Sequence, residues 1–243
     1  LGTMGVYGYS TVGARIPEGY LNVKIENAEG EYQDKSILYP TDPGSVYHMT
    51  KSLDQIMFAF YTKNYGLHIT DLHQGIVWGT QTGETIIDEG LINRFDYCGD
   101  YGTVLNRFLM QAACGYPLTV HGSGGQTRGF INIQDTVKCI KIAIENTERI
   151  DGKVKILNQV TETHQVKALA QLVANVTGSE IINVRNPRKE ADTNELKVNR
   201  ETFLKLGLEP LLLENSLLSE VVDIAERYKN NIDTNKIECR SYW

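Results

Sequence analysis

Tyr47-His48-Met49-Thr50-Lys51 heads a stretch, residues 46–65, whose apolar positions recur at helical spacing and which Gly66 stops. A Tyr and a Lys four residues apart sit one turn apart on the same helix face, within reach of a common ligand. A phenol beside a fixed ammonium is a proton-transfer device, because a nearby positive charge favours the phenolate. Oxidation of a sugar hydroxyl by hydride transfer needs such a base. The spacing also arises by chance, and alone it reads as a solvated Lys beside a half-buried Tyr. The rest of the chain decides between the two.

Working outward, residues 1–10 are Gly-rich and apolar, like the end of a strand and the loop after it. Residues 17–40 read as an extended, polar hairpin insert: positions 20–25 alternate, and 27–30 supply a turn. Pro40, Pro43 and Gly44 close it. Downstream, residues 68–72 predict a strand leading into Gln74-Gly75-Ile76-Val77-Trp78-Gly79, and 80–100 a polar loop. Residues 104–114 predict a helix stopped by Gly115, 118–121 a strand, and 130–133 another. Asp135 is a candidate N-cap for a helix to about 146. Then come a strand over 153–157, a helix over 166–176 closed by Gly178, a strand over 181–184, and helices over 201–206 and 216–228. Strands alternating with helices indicate an α/β fold with parallel strands. The opening lacks an initiator Met and any signal-peptide pattern, so we expect that the natural protein begins upstream.

Composition narrows the function. Of 243 residues, 41% are hydrophobic and 22% charged, ordinary for a globular chain with a sizeable core. A net charge of −6 argues against nucleic-acid or anionic-membrane binding, which draws on basic faces, but leaves room for a local cationic pocket. No apolar run approaches the roughly 20 residues of a membrane span. Cys98, Cys114, Cys139 and Cys239 form no close pair or metal-ligand spacing and read as reduced thiols. The five histidines make no cluster, so no metal is expected. Gly2, Gly5 and Gly8 invite a dinucleotide-phosphate reading, but an extended insert follows them instead of a helix. Thr3 is more useful, since the C-terminal edge of a parallel strand is where open α/β sheets bind ligands.

Thr3, then Tyr47 and Lys51, then a strand ending in Gln74–Gly79, resembles the extended short-chain dehydrogenase/reductase family, the NAD-dependent epimerases and dehydratases of nucleotide-activated sugars. Further segments carry the resemblance: Asn93-Arg94-Phe95-Asp96-Tyr97, Leu105-Asn106-Arg107-Phe108, Gly124-Gly125-Gln126-Thr127-Arg128-Gly129, Asn186-Pro187-Arg188 and Leu206-Gly207-Leu208-Glu209-Pro210. His73 departs from it, standing where Asn is expected before Gln-Gly. The resemblance implies the C-terminal part of an NAD-binding Rossmann-type doubly wound sheet plus a smaller α/β sugar-nucleotide-binding domain. Residues 1–97 would belong to the first, and 98–243 mainly to the second, with 128–160 returning to the Rossmann sheet.

The branch it resembles joins sulfite to UDP-glucose, which implies bound NAD, UDP-glucose, sulfite or a sulfite donor protein, and a homodimer. The location implied is the cytoplasm, or the plastid stroma in a photosynthetic eukaryote. Thr3, Tyr47 and Lys51 would be catalytic, with His48 and Met4 near the sulfite. Tyr47, Lys51, Gln74 and Val77 would contact NAD. Thr3, Gln74, Val104, Leu105, Asn106, Arg107, His121, Gly122, Ser123, Arg128, Arg188, Lys189 and Glu190 would hold the UDP-sugar. Arg suits diphosphate because its planar fork gives paired bonds to phosphate oxygens. A sugar 4-epimerase or 4,6-dehydratase is the nearest alternative, although dehydratases carry acidic residues beside the Thr, where Met4 and Gly5 stand here. A non-catalytic sugar-nucleotide-binding module is the other.

Overall fold

A computed structural model describes residues 1–8, 15–93, 95–146, 148, 150, 152–213 and 215–238. Arg94 and Cys239 lie outside the described residues. Strand β1 (Gly2–Thr3) is followed by a 3-10 turn and β2 (Arg15–Ile16). The insert is a hairpin of β3 (Tyr20–Glu26) and β4 (Tyr32–Leu38) paired antiparallel. The Asn27 side chain builds its turn by accepting from the backbone N–H of Glu29 at 3.0 Å and of Glu31 at 2.8 Å.

Helix α1 (Val46–Tyr65) starts at Ser45, whose hydroxyl accepts from the His48 backbone N–H, and stops at Gly66, which adopts φ 66°. Strands β5 (Thr70–Gln74) and β6 (Ile76–Trp78) follow, joined by Gly75. A Cβ on Gly75 would lie 2.8 Å from the Gly129 carbonyl oxygen, so only glycine lets the two segments approach this closely. Helix α2 (Val104–Ala113), β7 (Leu118–His121), β8 (Thr127–Asn132), α3 (Ile133–Glu145), β9 (Lys155–Gln159), β10 (Glu162–Gln165), α4 (Val166–Thr177), β11 (Ile181–Val184), β12 (Lys197–Val198), α5 (Glu201–Lys205) and α6 (Asn215–Tyr228) complete the order.

The parallel sheet β1-β5-β9 carries Thr3 and Gln74 side by side at the ends of their strands. A second sheet, β10-β8-β6, is mixed, and β11 pairs with β7 in parallel. Two expectations change here. The N-cap of α3 is Asn132, which accepts from the Gln134 N–H, and not Asp135. Asp135 is fully buried and accepts from Leu211 N–H at 2.6 Å and Lys138 at 3.1 Å, tying the helix to the chain beyond α5. The wholly polar segment β10 forms a strand the periodicity does not show, because it is held by backbone pairing to β8 and not by an apolar face.

The largest core lies between α2, α4 and α6, around Trp78, Leu105, Phe108, Phe130, Leu169 and Leu218. A second joins the β1 turn to the insert through Val6, Tyr7, Ile16 and Tyr39. The third packs α3 and α5 on β5 and β9 through Leu72, Ile131, Cys139, Leu157 and Phe203. Among the described residues no helix is long and apolar enough to cross a membrane.

Candidate active site

The C-terminal ends of β1, β5 and β7 open on one cavity of about 460 Å³. Thr3, Met4, Tyr47, His48, Gln74 and Val77 line one part of it, and Val104, Arg107, His121, Arg128, Arg188 and Glu190 another. This is the strand-end position where open α/β sheets bind ligands. Thr3 is held because its hydroxyl accepts the Gly5 backbone N–H at 3.2 Å. Gly5 packs directly on the His48 imidazole, and a Cβ at residue 5 would lie 2.2 Å from His48 Cδ2, closer than any real contact allows. Tyr47 is 56% exposed, its ring tilted against His48 with centroids 5.7 Å apart. Gln74 donates to the Gln159 side chain at 3.3 Å.

The cationic end is built from α2 and β7. Arg107 is buried, donates to the Thr119 carbonyl at 3.0 Å and meets His121 Nε2 at 3.1 Å. Burial first, then the charges of Arg107 and Arg188, push the His121 pKa down to about 3. His121 is therefore neutral at pH 7 and accepts from Arg107 through Nε2. Burial, with Arg188 and Arg128, lowers His48 in the same direction. Arg128 donates to the Thr127 carbonyl at 3.1 Å and pairs with Glu190, which also accepts from Asn186 at 3.2 Å. A second cavity of about 900 Å³ shares Tyr47, His48, Tyr101, Arg188 and Glu190 with the first and adds Lys189.

Several expected residues stand elsewhere. The Lys51 ammonium donates to the Leu1 carbonyl at 3.1 Å and to Asp54 at 3.3 Å, and lines neither cavity. Leu105 points into the core between α2 and its neighbours, because the second residue of that helix faces inward. Asn106, Gly122 and Ser123 also lie off the cavity lining; Ser123 instead fixes its own loop, donating to the Asp192 carbonyl at 3.1 Å. Gly2 serves packing, since a Cβ there would lie 2.7 Å from both Asp71 and His73. The buried His73 bonds Asp71 at 3.0 Å, so the departure from Asn is accommodated by a partner two residues away on the same strand. The sequence reading missed Gln126, Gly99 and the run Tyr101 to Thr103, all on the lining. Gly102 was the available signal there, since a Cβ at that position would lie 2.5 Å from the Asp96 carbonyl oxygen.

No protein-family model matches the chain. Against curated proteins it is 42% identical to chloroplastic UDP-sulfoquinovose synthase of Spinacia oleracea, over all of this chain and 50% of that protein. It is 39% identical to UDP-sulfoquinovose synthase of Sulfolobus acidocaldarius, over 86% of this chain and 53% of that protein. The chain is a relative of UDP-sulfoquinovose synthase. It spans about half the length of the UDP-sulfoquinovose synthases it matches. Solved structures agree on the fold. UDP-glucuronic acid 4-epimerase from Bacillus cereus superposes with a TM-score of 0.63 at 19% identity, over 95% of this chain and 60% of that one. The dTDP-glucose 4,6-dehydratase DesIV from Streptomyces venezuelae gives 0.66 at 16%, over 95% and 59%. The fold is thus the Rossmann-type α/β fold expected from the resemblance, and sulfoquinovose synthases are among its sequence relatives.

Proposed function

We propose that the protein carrying this chain forms UDP-sulfoquinovose from UDP-glucose and sulfite, with NAD bound as a resident cofactor. The observation that supports this most is the cavity itself, which gathers Thr3 and Tyr47 with Arg107, Arg128 and Arg188 in a chain 42% identical to a UDP-sulfoquinovose synthase. The B. cereus and S. venezuelae structures both hold NAD. The residues here fit its nicotinamide end: Gln74 supplies a carboxamide, Tyr47 a phenol, and Val77 an apolar wall at the strand edge. When bound, NAD takes up and returns the sugar C4 hydride.

The chain's own residues divide the remaining work. Tyr47 removes the proton of the sugar 4-hydroxyl, and Thr3 hydrogen-bonds the same oxygen. The resulting ketone acidifies the C5 proton, so water leaves across C5–C6 and sulfite adds at C6. His48 and Met4, beside Tyr47 and Thr3, border the sulfite position, and His48 in its neutral form can accept and return a proton there. Lys51 lies one turn from Tyr47 and orients the cofactor ribose once released from Asp54. Arg128 and Arg188 hold diphosphate, while Arg107 with neutral His121 borders the nucleotide. Residues 1–97 and 98–243 act as the cofactor-side and nucleotide-side portions, with 128–160 shared between the two.

Two further features belong to this reading. The outward face of α1 exposes Met49, Leu53, Ile56, Met57 and Phe60, which suits a homodimer. The spinach relative is chloroplastic, which suits a plastid stroma in a photosynthetic host and the cytoplasm otherwise. The test is incubation of the full-length protein with UDP-glucose, with and without sulfite, read by mass spectrometry. A sulfite-dependent UDP-sulfosugar is expected, lost in Tyr47→Phe. A 4-epimer or 4-keto-6-deoxy sugar formed regardless of sulfite would overturn the sulfite step.

A further inference from the structure

Gln159, the last residue of β9, is fully buried, and the two ends of its amide are committed to different partners. Its Nε2 donates to the Thr136 carbonyl in α3 at 3.4 Å, and its Oε1 accepts from Gln74 Nε2 at 3.3 Å. A main-chain carbonyl can only accept, so it settles which end of the Gln159 amide faces α3 and leaves the oxygen for Gln74. Gln74 must then offer its nitrogen, because turned over it would set two oxygens against each other. The backbone holds the pair in place. Gln74 and Gln159 are partners in register between β5 and β9, and the Gly75 N–H donates to the Gln159 carbonyl at 2.9 Å. Gln74 lines the cavity, whereas Gln159 and all of α3 lie behind the lining.

We infer that Gln159 is a positioning residue: it orients the Gln74 amide so that the oxygen, an acceptor, faces the ligand. This rests on the sugar-nucleotide reading above. Arg107, Arg128 and Arg188 on the same lining only donate. Gln74, paired in register with Thr3, supplies a neutral acceptor at the other part of the cavity. It therefore suits a ligand O–H or N–H, and two groups of the proposed ligands carry one, a hexose hydroxyl and the nicotinamide amide. An amide free to turn over would present its donor and acceptor ends alike. A ligand that needs the acceptor then binds more weakly, by the fraction of time the oxygen faces away. The relay from the Thr136 carbonyl through Gln159 removes that fraction. A group at the ligand is thus aimed by a helix that does not touch the cavity.

The test is titration calorimetry of the full-length protein with UDP, UDP-glucose and NAD. Gln159→Met keeps the length of the side chain and removes the relay. It should weaken either UDP-glucose or NAD about fivefold and leave UDP unchanged. A loss for UDP-glucose assigns the ligand donor to the hexose, and a loss for NAD assigns it to the nicotinamide. Gln74→Met should weaken the same ligand about tenfold, because it removes the acceptor itself. Adding Gln159→Met to Gln74→Met should then cause no further loss, since the buried residue acts only through the exposed one. A packing role would instead lower affinity in both backgrounds, and for UDP as well. Additive losses in the double variant, or equal losses for UDP, would overturn the proposal. So would unchanged binding of both ligands by Gln74→Met, a result that decides the matter even where Gln159→Met fails to fold. Failure of the wild type to bind UDP-glucose at all would remove the sugar-nucleotide reading and this inference with it, whereas wild-type binding that Gln159→Met leaves intact would remove this inference alone.

Discussion

Gln111 in α2 and Gln55 in α1 are each 1% exposed, and their surroundings could hardly differ more. Gln111 donates to the Thr119 hydroxyl at 2.7 Å and accepts from the Thr119 N–H at 3.1 Å. Both amide atoms of Gln55 lack a partner among the described residues. The contrast extends along the helices. Helix α2 buries Leu105, Phe108, Leu109 and Met110 against α4 and α6. Helix α1 buries Ser52, Gln55 and Thr62, and leaves Met49, Leu53, Ile56 and Phe60 in solvent. The arginine side of the cavity therefore stands on finished packing, whereas the side carrying Tyr47 stands on a helix turned polar face inward.

The largest test of that contrast is in stability. Phe108→Ala should cost about 3–5 kcal/mol, because it empties a fully buried site, while Lys63→Ser on the exposed side of α1 should change stability by no more than about 0.5 kcal/mol. Chemical denaturation of both variants measures this, and a similar loss in the two would break the comparison. A second test separates the roles of the two sides. Arg128→Ala should weaken UDP binding by about 10–100-fold, whereas Tyr47→Phe should leave that affinity unchanged and lower turnover by about 100-fold or more. Equal effects of the two on UDP affinity would merge the two sides into one.

The smallest effect is a slope with pH. The folded chain holds His121 at about 3 against an ordinary 6.5, so the unfolded chain gains a proton first as pH falls. This contribution to stability is complete above about 6.5 and is lost progressively below it, at no more than about 1.4 kcal/mol per pH unit. His48 adds in the same direction. His121→Gln, which keeps an acceptor for Arg107, should make the fall in melting temperature between pH 6.5 and 4.5 shallower than in wild type. An unchanged slope would remove His121 from the account.

What the sequence made legible follows from where its signals are local. Gly66 and Gly178 end α1 and α4 as expected, both with positive φ, because a left-handed cap is a property of one residue. The hairpin insert and strands β7 and β11 were likewise visible from alternation and flanking turns. Strand β10 was not, since Glu162–Gln165 owes its form to a partner strand more than thirty residues away. The inverted orientation of α1 was also hidden. Helical spacing tells which residues share a face, and only the neighbours decide whether that face is covered. In the site, Thr3, Tyr47, Arg107 and Arg128 fall on one lining, as their motifs suggested. Lys51 shows the limit of spacing: one turn from Tyr47 along the helix, its ammonium reaches to Leu1 and Asp54.

The contact of Gly5 with His48 has a reach beyond packing. Thr3 rides on the sheet and Tyr47 on the helix, and the imidazole resting on a bare α-carbon sets how far apart these two bodies stand. Residue 5 thus works as a gauge block, its thickness a single hydrogen atom. The spacing between the hydroxyl and the phenol is machined into the chain at a residue that has no side chain of its own, holding the hydroxyl by its backbone N–H and the helix by its bare α-carbon.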